Sequence, residues 1–305
     1  MRATCRSGFR LVALALVSSV VALGGVRLHA QQGPAPAAGS QGLFWTVEKD
    51  GRTSWLVGSL HLLTADAYPL PASMLAAFAQ ADTLVEEADP DELTSPDVAS
   101  QLMAKAFYPP GRSLQTELSA GAYRRVVDKA SKAGLPAVAL DRMKPWMIAI
   151  TLAALELQRG GFDPALGIDK HFLDRARTAG KRTRTFEAAL DQIGFLEALS
   201  PQMQEALVGE TLDGTETELS QMRRIAAAWK AGDAAVVEQL LVDTMKDSPG
   251  IYQALVVDRN RRWMPALTGC FATARCFVVV GAAHLVGPDG LVAMLTAQGY
   301  RVRQR

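Results

Sequence analysis

Two β-forming runs in this chain end in the same way. WLVGSLHLL, residues 55–63, closes on Gly58, two further residues and His61. CFVVVGAAHLVG, residues 276–287, closes on Gly281, two further residues and His284. The chain has only four histidines, and two of them stand just past a strand, behind a glycine. After each run come a loop with proline, a helical pattern and another strand pattern. A helix between two strands favours a parallel, right-handed crossover. The two copies make a weak internal repeat that rests on few residues.

The remaining punctuation fills in the fold. Leu43 onward predicts a hairpin, with strands over 43–48 and 53–60 joined by an Asp50-Gly51 turn. Pro71 opens a helix over 71–81, and DTLVEEAD follows as a strand that ends in acids. At the other end, a strand over 276–281 leads to the helix LVAMLTAQ, the stop Gly299 and the strand YRVRQR. The middle predicts helices over 97–107, 119–133, 145–159, 165–179, 188–198, 201–209, 214–231, 233–243 and 249–267. Short strands over 136–140 and 182–187 interrupt them. The pattern is α/β: a mixed, mostly parallel sheet with helices packed around it and a helix-rich central insertion.

The 305 residues, 49% of them apolar and with net charge +1, suffice to bury a core. No basic excess points to nucleic acid. The first 30 residues have the form of a signal peptide: a basic leader, an apolar run, and a small-residue cleavage site after Ala30 with Leu28 at the weaker position. The other reading is an uncleaved membrane anchor, for which the run is short and interrupted by glycine. Cleavage removes four arginines and no acid, and so turns the net charge of +1 into −3. It leaves no stable membrane span and predicts a periplasmic or secreted protein. Residues 31–42, QQGPAPAAGSQG, form a flexible linker, and the folded domain spans 43–305. In an exported chain the nearby Cys270 and Cys276 favour a disulfide over a metal pair, since x₅ is not a zinc-knuckle spacing.

Ligands of a parallel sheet gather outside the carboxyl ends of its strands. His61 and His284 lie past two such ends, and Glu86, Glu87 and Asp89 lie at a third. Gly58 and Gly281 remove a side chain where a ligand approaches or the backbone turns. Two imidazoles and a carboxylate suit a divalent metal. The same set suits metal-free hydrolysis by a general base and acid. Glu86 and Glu87 point to opposite faces of a strand, so one faces the site and the other solvent. Asp169 and His171 stand two apart on a helix and do not share a face. Asp169 reads either as a site residue or as a first-turn acid that suits the helix dipole, and His171 as a site or surface residue. DRNRRW, residues 258–263, either holds a substrate carboxylate or is a solvated helix face. No His-Glu-x-x-His, Gly-x-Ser-x-Gly or phosphate loop is present in the sequence.

The segments GSLHLL, DTLVEEAD, KPWMIAI, PALGIDKHFLDRARTAGK, DRNRRWMPAL and CFVVVGAAHLVGPDGLVAMLTAQGYRV resemble, in this order, the TraB/GumN family. The family's animal relatives are the Tiki proteins, and the likeness covers roughly residues 43–304. It implies a fold similar to the erythromycin esterase and ChaN groups. It selects Glu87 over Glu86, and maps site positions onto Arg259, Asn260, Asp169 and His171. One departure is Ala188, which follows Glu187 where relatives carry threonine. Tiki members are described as metal-dependent proteases. The resemblance thus implies a metal-dependent hydrolase in which His61, Glu87 and His284 hold Mn²⁺, Co²⁺ or Zn²⁺ and Arg259 orients the substrate. Gly58, Gly281, Asn260, His171 and Asp169 would contact a peptide or small-molecule substrate. Asp89 or Glu187 would accept a proton. The rival readings are an esterase-like hydrolase with a histidine base and no metal, and a protein that captures haem or a peptide without chemistry.

Overall fold

The computed structural model describes residues 41–246 and 249–305. The predicted signal segment and most of the linker lie outside the described residues. Strand β1 (Phe44–Lys49) and strand β2 (Arg52–Ser59) pair antiparallel, with Lys49 opposite Arg52. Asp50 and Gly51 between them both have positive φ, at 50° and 74°, as a two-residue hairpin that matches the strand twist requires. Strand β3 is Thr83–Glu86, β4 is Arg182–Thr185, β5 is Cys276–Gly281 and β6 is Arg301–Gln304. The sheet order is β4-β3-β5-β2-β1-β6. Pairing is parallel from β4 through β3 and β5 to β2, and β1 alone runs against the rest.

Helices of seven residues or more are numbered along the chain. From β2 the chain passes through α1 (Ala72–Gln80) to β3, leaving room for β5 between the two strands. From β5 it passes through α10 (Leu291–Ala297) to β6 at the far edge. Both Gly-x-x-His units therefore return parallel, as the repeat predicts, but neither returns to the adjacent position. β5 is a buried central strand, and Phe277, Val278, Val279 and Val280 are all closed to solvent. That explains why CFVVV is a continuous apolar run rather than an alternating one.

The chain forms two compact units. The sheet belongs to the unit that includes 41–88, 162–186 and 221–305, together with α5 (Ile168–Thr178) and α9 (Asp258–Thr273). The other unit, 89–161 and 187–220, is helical. Its centre is α4 (Pro145–Arg159), where Trp146, Ile148 and Ile150 are buried along with residues on the opposite faces. A helix apolar all round belongs in a core. In the same unit Ser95 caps α2 (Pro96–Ala106) and Ser200 caps α7 (Pro201–Asp213), each followed by proline at the first helical position.

Three expectations need correction. The segment 136–140 is not a strand: Ala137–Leu140 is a helical turn that follows Pro136. Val138 is 82% exposed, and an isolated strand with no partner gains nothing from such a position. The expected helices over 233–243 and 249–267 are broken by π-helical segments at Glu238–Asp243 and Gln253–Val257, and α9 continues to Thr273. Finally, Glu86 does not face solvent. Every residue of β3 is buried, so both faces of that strand are covered.

Cys270 at the end of α9 and Cys276 at the start of β5 stand at disulfide distance, with Cα atoms 6.3 Å apart. Closing so short a loop contributes about 2 kcal/mol by the chain-entropy relation. The double variant Cys270→Ala/Cys276→Ala should therefore lose about 2 kcal/mol in urea unfolding. Dithiothreitol should destabilise the wild type by the same amount and leave the variant unmoved.

Candidate functional site

The site grows from three neighbouring strand ends. In the β2–β5 register Ser59 lies opposite Gly281, and in the β3–β5 register Glu86 lies opposite Val279. His61 and Glu87 therefore leave the sheet on either side of Gly281. The Gly281 N–H donates to Glu87 Oε1 at 2.6 Å. A Cβ on Gly281 would sit 3.0 Å from Glu87 Oε1, 3.6 Å from His284 Cδ2 and 3.9 Å from His61 Nε2. The missing side chain leaves a small cradle bounded by the three predicted residues.

Helix α9 supplies the next layer. Arg259 Nη2 donates to Glu87 Oε2 at 2.6 Å, and Arg259 Nη1 donates to the Leu255 carbonyl at 3.3 Å. Asn260 Nδ2 donates to the carbonyls of His284 and Asp289, at 3.1 and 2.9 Å. Its Oδ1 therefore faces His284 Nδ1, at 2.7 Å, and that nitrogen must carry the proton. His284 Nε2 is then an acceptor, and it meets the Arg259 Nη1 donor at 3.1 Å. Trp263, one turn beyond Arg259, lies beneath both groups. Its ring is 4.4 Å from the His284 ring and 4.7 Å from the guanidinium, and Phe186 stacks on it at 5.1 Å.

The strand end of β2 meets the start of α5. Asp169 Oδ2 pairs with His61 Nδ1 at 3.0 Å, while Asp169 Oδ1 accepts from Ser59 Oγ at 2.9 Å. That turns His61 Nε2 towards the cradle. The His61 and Asp169 side chains keep 23% and 20% exposure, against 6% for Arg259 and for His284. Solvent thus meets the His61 side of the site, and the Arg259–His284 side lies behind it.

Charge follows from these contacts. Burial alone would push His61 down, but the adjoining Asp169 carboxylate, its hydrogen bond and the charge of Glu87 lift it to about 9. Burial pushes His284 down to about 3, with Arg259 and His61 acting in the same direction and Glu87 opposing. Burial would raise Glu87, but Arg259 foremost, then His284, His61 and the Gly281 N–H, hold it at about 2. Asp169 is lowered against its burial by the His61 charge and by hydrogen bonds from His61 and Ser59.

The predicted residues divide. His61, Glu87, His284, Arg259, Asn260, Asp169 and Gly281 come together. Gly58 does not: a Cβ there would lie 2.6 Å from Leu43 Cδ2, and its carbonyl accepts from Trp229 Nε1 at 2.5 Å. Its glycine serves packing. His171 is half-buried on α5. Its ring lies 5.3 Å from Tyr68 and 5.2 Å from Phe172, and burial, followed by Arg175, lowers it to about 4. Asp89 caps a 3₁₀ turn by accepting from the Asp91 N–H, and belongs with Glu187 to the helical unit. Sequence reasoning missed Ser59 and Trp263. Ser59 is two residues before His61, the spacing that shares a face in extended chain, and Trp263 is one helical turn beyond Arg259, so periodicity carried both signals.

The donor types match a divalent metal, but their arrangement does not. His284 offers neither ring nitrogen, because Asn260 takes Nδ1 and Arg259 takes Nε2. Glu87 and His284 Nε2 are only 3.6 Å apart, yet the guanidinium hydrogen-bonds to both. No group of three or more His, Cys, Asp or Glu is placed to hold a metal among the described residues. The cradle above Gly281 fits a water better than a cation beside an arginine.

Groups with lowered pKa, among them His284, Glu87, Asp169 and His171, link the fold to pH. An unfolded His284 takes up a proton below about 6.5, the buried one only near 3, so stability falls as pH drops through that window. Glu87 adds a second loss from its ordinary value of 4.5 down to about 2. His61 acts oppositely: its contribution is complete below 6.5 and is lost as pH rises through about 9. Urea unfolding between pH 7 and 3 should show the slope, and His284→Gln should reduce its upper segment to the share of His171, leaving the later loss from Glu87.

Residues 43–304 match the TraB/PrgY/gumN family. The chain is 28% identical to YbaP of Shigella flexneri over 244 residues, 80% of this chain and 88% of that protein. It is likewise 28% identical to YbaP of Escherichia coli K12 over 240 residues, 79% of this chain and 86% of that one. No solved structure matches. With three strand ends and one helix converging as the Gly-x-x-His pair requires, and the match running through all of them, the chain belongs to the TraB/PrgY/gumN family.

Proposed function

We propose that this protein is an exported hydrolase that cleaves an amide or ester bond with a water held above Gly281 and activated by the His61–Asp169 pair. One observation carries the reading. His61 Nε2 and Glu87 Oε1 both border the side-chain position that Gly281 leaves open, 3.9 and 3.0 Å from where a Cβ would stand, while Asp169 holds the opposite ring nitrogen. A water there has one acceptor for the proton it loses and one for the proton it keeps. Neutral His61 takes a proton on Nε2, the resulting hydroxide adds to the carbonyl carbon, and the tetrahedral intermediate expels its amine or alkoxide. The leaving group takes the proton back from His61. Asp169 stays ionised and stabilises the imidazolium formed in between. Arg259 stays bound to Glu87 and fixes its carboxylate without transferring a proton.

Peptide bonds are the leading substrate class, through the resemblance to the Tiki proteases. Export is supported by the signal-like first 30 residues and by the cysteine pair, since disulfides persist in oxidising compartments. No helix among the described residues is long and apolar enough to cross a membrane.

The test is a pH–rate profile on a panel of peptide and ester substrates. Only neutral His61 accepts a proton, so kcat/KM should rise tenfold per pH unit and level off above about 9. Asp169→Asn should move that limb down towards the free imidazole value near 6.5. His61→Ala should cost roughly 10²–10⁴-fold. A rate that declines through pH 9, or one abolished by chelation and restored by Mn²⁺, Co²⁺ or Zn²⁺, sinks the metal-free base. Tight capture of haem or peptide with no turnover across the panel sinks the hydrolase.

A further inference from the structure

We infer that Ser59 is a positioning residue whose hydroxyl locks the Asp169 carboxylate and thereby sets the ring plane of His61. Ser59 is the last residue of β2 and is buried. Its Oγ makes two contacts with one partner: it donates to Asp169 Oδ1 at 2.9 Å and accepts from the Asp169 backbone N–H at 3.3 Å. That N–H is one of the first amides of α5, which have no acceptor inside the helix. The residue before the helix is Gly167, which has no side chain to cap them. Ser59 does so from another strand.

The backbone explains why the cap comes from there. A Cβ on Gly167 would lie 2.4 Å from the His61 carbonyl oxygen and 2.9 Å from Asp169 Oδ1. The start of α5 thus sits directly against the end of β2, and the Ile168 N–H donates to the Leu60 carbonyl at 3.1 Å. Tyr68 Oη adds a donor to the Leu166 carbonyl at 2.8 Å. These contacts hold the helix start in place without Ser59. They do not reach the Asp169 carboxylate, whose last torsion has only a broad, two-fold preference of its own. With Oδ1 held by Ser59, Oδ2 is left for His61 Nδ1, and Nε2 is aimed over Gly281. Without the hydroxyl, the carboxylate rotates and the imidazole follows.

The effect on turnover rests on the hydrolase reading, but the lock itself does not. ¹⁵N-edited NMR of the His61 Nδ1–H reads it without substrate. In the wild type this proton should give a sharp, slowly exchanging resonance. Ser59→Ala should broaden it by exchange with water, and Ser59→Thr, which keeps the hydroxyl, should restore it. With substrate, Ser59→Ala should lower kcat by roughly ten- to a hundredfold with little change in KM, and threonine should recover kcat. If the alanine variant does not fold, Ser59→Cys, similar in size and a weak donor, carries the same comparison. A resonance that stays sharp in the alanine or cysteine variant overturns the proposal. So does a threonine variant that folds yet behaves as alanine does. A Ser59-dependent resonance in a protein that hydrolyses nothing supports the lock and removes the hydrolase.

Discussion

The contact between Glu87 and Arg259 joins parts of this site that are far apart in sequence. They lie 172 residues apart and meet at 2.6 Å with both side chains under 10% exposed. Burying two charges is expensive, and their attraction repays the cost only where further hydrogen bonds satisfy what remains. Here the Gly281 amide completes Glu87, while the Leu255 carbonyl and His284 Nε2 take N–H groups of Arg259. Removing either charge strands the other. The pair also settles the chemistry of its neighbour. A guanidinium can only donate, so His284 must accept at Nε2 and donate at Nδ1, and Asn260 is oriented to match.

The two Gly-x-x-His units look alike in sequence and differ in role. Gly281 opens the cradle between Glu87, His284 and His61, whereas Gly58 admits Leu43 and the backbone of Ala282. His284 is buried and neutral, and its ring is held by Asn260, Arg259 and Trp263. His61 is part-exposed and paired with a carboxylate. Their surroundings explain the difference. Helix α9 brings Arg259, Asn260 and Trp263 against His284, while His61 leaves β2 against the start of α5 and keeps 23% exposure. A repeated motif has thus given one imidazole that is a fixed wall and another that can exchange a proton.

Much of this was legible in the sequence because it depends on local rules. Asp50-Gly51 marks the hairpin, the buried β5 reads as an unbroken apolar run, Pro145 opens α4, and Gly161, with φ at 89°, follows its end as their backbone preferences require. The convergence of His61, Glu87 and His284 followed from strand ends in a parallel sheet. What failed depended on distant partners. Residues 136–140 have strand-like composition, and only the lack of a pairing edge makes them helical. Glu86 alternates properly with Glu87, but the covering of both faces of β3 is a tertiary fact. Asp169 and His171 are equally plausible on helical spacing, and only the docking of α5 on Ser59 separates them. The π-helical turns before α9 have no sequence signal comparable to a proline or a cap.

The charges also constrain what the cradle can hold. Near neutral pH Asp169 and Glu87 are anionic and His61 and Arg259 are cationic, so the four charges cancel, with His284 neutral beside them. A divalent cation placed over Gly281 would face Arg259 across a single carboxylate, whose second oxygen is already bound to it. It would also have to displace the proton from His61, which its two anionic neighbours hold up to about 9. A water meets neither cost. It accepts the Nε2–H of cationic His61 or gives up a proton to the neutral ring, and in both states the Glu87–Arg259 pair stays intact. The arrangement therefore favours a proton as the mobile charge of this site, with the fixed ions arranged around its path.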